Sequence, residues 1–117
     1  MVRAAMVITA LLVTSGCGSC GGNEATAPLE HACSDGDLRQ CASLAEMLRD
    51  GRDVRKNERR ARFLFSKACD GDRLRACHAL GQMAEFGRGG SADYEKAQVS
   101  YRRACDGDII EGCTGLA

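Results

Sequence analysis

The chain has 117 residues, eight of them cysteine, and carries 16 basic residues against 16 acidic ones. That length allows one domain, and a balanced charge gives no global argument for a nucleic-acid or anionic-membrane partner. Three Phe, two Tyr and no Trp are a thin stock of large core residues, so a domain this small gains from extra constraints, and the cysteine content points to an oxidising compartment.

At the N-terminus, Arg3 supplies a minimal positive region, and Ala4 to Val13 is an apolar run broken only by Thr9. The stretch between Arg3 and Cys17 is too short to cross a bilayer as a helix, so it reads as an export signal. It ends in Thr14-Ser15-Gly16-Cys17, which resembles a bacterial lipoprotein lipobox, with Thr14 standing where Leu is usual. The resemblance implies a signal peptide over residues 1–16, a lipid on the Cys17 thiol and, with Gly18 next in line, sorting to the outer membrane. The alternative is ordinary cleavage nearby, with a soluble periplasmic or secreted product and Cys17 and Cys20 left as thiols or as a disulfide. Residues 17–28 form the N-terminal linker, Gly-rich and polar from Gly18 to Ala27, without periodicity.

Downstream, the cysteines set the organisation. Cys33, Cys69 and Cys105 lie 36 residues apart, and so do Cys41, Cys77 and Cys113. Two interleaved ladders at one spacing indicate an internal repeat. Laying residues 33–68 over 69–104 gives ten identities, among them Leu38/Leu74, Arg39/Arg75, Leu44/Leu80, Met47/Met83, Gly51/Gly87 and Ala61/Ala97. A third copy starts at Cys105, and Leu29 and Ala32 take the phase of Phe65 and Ala68, so a half repeat precedes Cys33. The Asp-Gly-Asp turn slides by one residue between copies: Asp35-Gly36-Asp37, then Asp70-Gly71-Asp72.

Each repeat reads as two helices, A and B. Leu38, Cys41, Leu44, Ala45 and Leu48 recur three and four apart, as one apolar helical stripe, and Leu74, Cys77, Leu80, Gly81 and Ala84 repeat it. Gly51 and Gly87 follow as C-caps. The B helix carries Ala61, Leu64, Phe65 and Ala68, then Ala97, Tyr101 and Ala104, with Asn57 and Asp93 placed as N-caps. No segment sustains a period of two, so no sheet is expected.

Ala76-Cys77-His78-Ala79-Leu80-Gly81, Gly87-Arg88-Gly89, Asp93, Lys96-Ala97, Tyr101 and Ala104-Cys105 resemble a Sel-one-like repeat, a relative of the tetratricopeptide repeat. The cysteine pairs resemble its Hcp-type, cysteine-rich branch. The resemblance covers residues 29–117 and implies an all-α, short right-handed solenoid of 36-residue helix–turn–helix repeats: a half repeat, two full repeats and a half repeat. It also implies one disulfide per repeat junction, Cys33–Cys41, Cys69–Cys77 and Cys105–Cys113, each within one turn, whereas other pairings would cross repeats. Three positions depart from the family pattern. Leu48 and Ala84 occupy an aromatic position, Gly90 replaces the valine that Val54 preserves, and Asp53 stands for the second turn glycine. Closing a loop this short removes unfolded-state entropy worth about 2.6 kcal/mol. A metal site is the rival use of the cysteines, but zinc motifs favour shorter spacings, and His31 and His78 do not recur at the repeat period.

The resemblance implies a scaffold that binds a protein or peptide, with membrane contact through the lipid anchor alone, no cofactor and no nucleic acid. In such solenoids the A helices line the concave face. The candidate binding residues are Arg39, Ser43, Glu46 and Met47 on the first A helix, and Arg75, His78, Gln82 and Met83 on the second, with Ala79 between them. The alternative that the branch carries is a penicillin-binding protein or β-lactamase. Against it, Ser34, Ser43, Ser66, Ser91 and Ser100 are followed three residues on by Asp37, Glu46, Cys69, Tyr94 and Arg103, never the lysine such an enzyme needs. The basic stretch Arg49, Arg52, Arg55, Lys56, Arg59, Arg60 and Arg62 reads as a solvated face with local ion pairs, with an anion site as the alternative. The Asp-Gly-Asp turns read as helix starts and not as calcium loops. For the anchor, the expected outcome is a mature N-terminus at acylated Cys17, with Cys17→Ala releasing the protein in soluble form. Intact mass of the exported protein checks this, and an unmodified Cys17 would contradict it.

Overall fold

Six helices and no strand occupy residues 26–115, the part of the chain described by this computed structural model. They are α1 (Ala27–Ser34), α2 (Leu38–Asp50), α3 (Glu58–Asp70), α4 (Leu74–Phe86), α5 (Tyr94–Asp106) and α6 (Ile110–Gly115). Helices α2 and α4 are the two A helices, and α3 and α5 their B partners. Helix α1 is the preceding B half repeat, and α6 opens a third A helix. The segment read as an export signal, Cys17 and Cys20 lie outside the described residues.

Each expected boundary has a local cause. The Asn57 side chain accepts a hydrogen bond from the Arg60 N–H at 3.1 Å, and Asp93 from Lys96 at 3.0 Å, which satisfies donors that a helix start leaves open. Gly51 and Gly87 end the A helices at φ of 72° and 67°, with their N–H groups donating to the carbonyls of Met47 and Met83. The loop that follows is tied back identically in both repeats. Asn57 donates its N–H to the Leu48 carbonyl and Asp93 to that of Ala84, each at 2.8 Å.

The apolar stripes meet as the periodicity requires. Cys41, Leu44, Ala45 and Leu48 of α2 and Ala61, Leu64, Phe65 and Ala68 of α3 are all buried, Cys77 and Leu80 continue the core into α4, and Ala84 packs in a second buried cluster with Ala97 and Tyr101. At the second crossing, Gly81 abuts the Tyr101 ring so closely that an added Cβ would sit 2.7 Å from it. The equivalent pair one repeat earlier is Ala45 and Phe65. A second substitution tracks the first. The Tyr101 hydroxyl donates to Glu85 at 2.8 Å, while Arg49, in the Glu85 phase, lies 5.4 Å from the centroid of the Phe65 ring. A phenol offers a proton to a carboxylate, whereas a bare aromatic face attracts a cation. Burial and the Glu85 carboxylate hold the Tyr101 phenol well above its ordinary pKa.

The three junctions carry the three disulfides, Cys33–Cys41, Cys69–Cys77 and Cys105–Cys113, with Cα separations of 4.7, 4.6 and 4.6 Å. The Asp-Gly-Asp slide resolves at the backbone. The left-handed residue of each turn is Gly36, then Asp72, then Asp108, with φ of 101°, 68° and 69°. These three keep the 36-residue period although the glycines do not. Aspartate tolerates this conformation better than most residues, but glycine adopts it without steric cost. The reading of these turns as helix starts holds only in part. Asp37 caps α2, accepting from the N–H groups of Arg39 and Gln40, but Asp72 instead pairs with Arg103 at 2.8 Å.

Substitutions at two positions test this geometry by urea unfolding. Gly81→Ala should cost about 1–3 kcal/mol, because the new methyl meets a packed ring. Asp108→Gly should stabilise by about 0.5 kcal/mol or more and Asp108→Val destabilise by about 1 kcal/mol or more. Equal midpoints for both Asp108 variants would contradict the left-handed assignment.

Candidate functional site: a groove between the A helices

Where α2 and α4 run side by side, they leave a groove of about 380 Å³. Its α2 wall is Arg39, Ala42, Ser43 and Glu46, and its α4 wall begins with Leu74, Arg75 and Ala76. The central junction contributes Asp72 and Arg73, and the next junction contributes Ile109. Neighbouring junctions are brought together because Leu38 packs on Gly71 and Leu74 on Gly107, where any added methyl would overlap the leucine. Arg103 fixes the same edge, donating to the Asp70 carbonyl at 3.3 Å and to the Asp72 carboxylate. The result is an apolar floor of Ala42, Leu74, Ala76 and Ile109 under a polar rim.

The structure brings four of the expected residues together on this groove: Arg39, Ser43, Glu46 and Arg75. Gln82 is exposed and Met47 half-buried, but neither lines it. His78 is half-buried with its ring centroid 5.7 Å from that of Tyr101, toward the B-helix side. Met83 requires a correction. It is 1 % exposed and belongs to the core, as does Ala79, so neither can present a surface to a partner. The reason is the preceding B helix. Helix α4 packs against the full-length α3, whereas α2 packs against α1, which begins only at Ala27, in the phase of Phe63. Ala76, Ala79 and Met83 are therefore covered, while their α2 equivalents Gln40, Ser43 and Met47 are half-exposed.

Arg73 and Ile109 were hidden from repeat matching because they share one phase with Asp37, and that phase holds three different chemistries. A signal existed all the same: the residue just before each A helix must face the neighbouring junction. Ser43 has Glu46 one helical turn on, where an acyl-transfer serine would need a basic group.

The basic stretch has local structural partners. Arg49 pairs with Asp50 at 2.9 Å and Arg60 with Glu30 at 3.0 Å, and these guanidinium groups hold the Asp50 and Glu30 carboxyls below their ordinary range. Arg62 donates to the carbonyls of Arg88 and Ser91 at 3.2 and 3.0 Å, and Arg88 bonds Glu58 at 2.6 Å. These contacts bind the α4–α5 loop to the start of α3, so part of the stretch works as scaffold.

Comparison with known proteins agrees with this architecture. The family model for the Sel1 repeat matches residues 41–72 and 74–108. No curated protein matches the sequence. Among solved structures, Helicobacter pylori cysteine rich protein B superposes with a TM-score of 0.69 at 27% identity, over 74% of this chain and 65% of that one. A Sel1 repeat protein from Oxalobacter formigenes gives 0.72 at 27% identity, over 75% and 66%. The chain thus spans just under two thirds of the length of each. The c5321 protective antigen of uropathogenic Escherichia coli gives 0.73 over 75% of this chain and 19% of that one, and at 20% identity it shows the fold alone. With the repeat model matching more than half of its length, the chain belongs to the Sel1 repeat family.

Proposed function

We propose that the protein is an exported, lipid-anchored repeat scaffold of the bacterial cell envelope, and that it holds an extended segment of a partner protein in the α2–α4 groove. Three disulfides mark an extracytoplasmic protein, and Sel1 repeats mediate protein–protein contacts. The lipobox resemblance at Cys17 supports the anchor and a place at the outer membrane. One observation carries the binding reading: the groove sets Arg39, Ser43, Glu46 and Arg75 around an apolar floor. A concave apolar surface with a few convergent polar groups is how extended peptides are gripped, with the floor supplying affinity and the rim setting register.

Selection from a random peptide library against the oxidised protein tests this. Peptides should be enriched, and Ser43→Trp, which fills the groove from a half-exposed position, should weaken them at least about tenfold. Gln98→Trp, on the exposed side of α5, should leave binding unchanged. Peptides that bind both variants alike would place the site elsewhere, and an empty selection would remove the peptide reading.

A further inference from the structure

We propose that the segment held in this groove is acidic, with its carboxylates gathered at the junction end by Arg39, Arg73 and Arg75. This rests on the groove being the binding site and adds the chemistry of its occupant.

The charges along the groove are unevenly placed. Arg39, Arg73 and Arg75 are exposed, and all three line the groove; Arg39 and Arg73 also border an adjoining shallow recess with Gly36, Asp37, Leu38 and Gln40. Among the described residues, none of the three makes an ion pair, although six such pairs are formed elsewhere. The acids that share these surfaces with them, Asp72 on the groove and Asp37 on the recess, are already engaged. The Asp72 carboxylate pairs with Arg103, and Asp37 accepts from two backbone N–H groups at the start of α2. The other acid lining the groove, Glu46, stands two helical turns beyond Arg39, next to Arg49, and repels acid at that end. The groove therefore has a cationic end with spare donors and an anionic end without them.

Guanidinium groups match carboxylates in shape, since two parallel N–H donors meet two oxygens. The apolar floor of Ala42, Leu74, Ala76 and Ile109 adds a place for an aliphatic side chain beside the acid. A bilayer surface, flat on this scale, would reach the rim arginines but not the floor between two helices. An extended peptide carrying both acidic and aliphatic side chains satisfies both parts of the site, so the occupant is a peptide and not a lipid surface.

The test uses the mature, oxidised protein and short fluorescent peptides that alternate Leu with Glu, Leu with Gln or Leu with Lys. Anisotropy titrations should show the Leu–Glu peptide binding about tenfold tighter than Leu–Gln, with Leu–Lys weakest and the preference eroded by high salt. Arg39→Gln, Arg73→Gln and Arg75→Gln should each weaken Leu–Glu about fivefold while leaving Leu–Gln within about twofold. The side chains are exposed and unpaired, so unchanged thermal midpoints are expected and confirm folding. Equal binding of the Glu and Gln peptides would overturn the acidic preference while leaving the groove as a peptide site. Failure of every peptide to bind would remove the groove reading itself. Arginine-dependent binding to phosphatidylglycerol vesicles, in place of the peptides, would overturn the proposal in favour of a membrane.

Discussion

Each disulfide joins the last turn of one B helix to the start of the next A helix, across Cα separations of 4.6–4.7 Å. This covalent link between successive repeats is the constraint on which the rest depends. A repeat cannot bury its apolar face alone, and arrays gain stability mainly from stacked neighbours. The described residues hold two complete helix pairs flanked by single helices, few neighbours for such an array. In the chain-entropy picture each short bridge contributes about 2.6 kcal/mol, a large share of a small domain's stability. The left-handed residue and the tight turn at every junction serve the same end, aiming the next A helix at a fixed angle.

Fixing the junctions also builds the groove. Leu38 on Gly71 and Leu74 on Gly107 bring successive junctions onto one edge, so Arg73 and Ile109, distant in sequence from Arg39, line the same cleft. Helices α2 and α4 differ in environment although their sequences align. One has a full B helix before it and buries Met83; the other is preceded, among the described residues, by the shorter α1 and leaves Met47 half-exposed. Identity at a repeat position therefore does not imply identity of role, and the outer helix is the more open wall.

Much of the fold was legible because cysteine spacing, glycine caps and the three-and-four apolar rhythm report backbone geometry directly. The pairing of all six junction cysteines and the caps at Asn57, Asp93, Gly51 and Gly87 follow from such local chemistry. The candidate site was only half legible. Arg39, Ser43, Glu46 and Arg75 reach the groove, but Met83 belongs to the core, and Arg73 was missed because its phase does not repeat. Burial on a middle helix depends on what packs before it in space, which a single-helix stripe does not encode. The paired change from Phe65 with Arg49 to Tyr101 with Glu85 likewise became visible only once the crossing was seen in three dimensions.

The central claim is that the junction disulfides hold the stack, and the middle one tests it most directly. The measurement is the thermal midpoint of the oxidised protein against the Cys69→Ala, Cys77→Ala double variant. Loss of about 2.6 kcal/mol in a domain of this size predicts a fall of roughly 10–20 °C. A double variant that melts at the same temperature as the parent would contradict the account, and would place the stability of the array in helix packing alone.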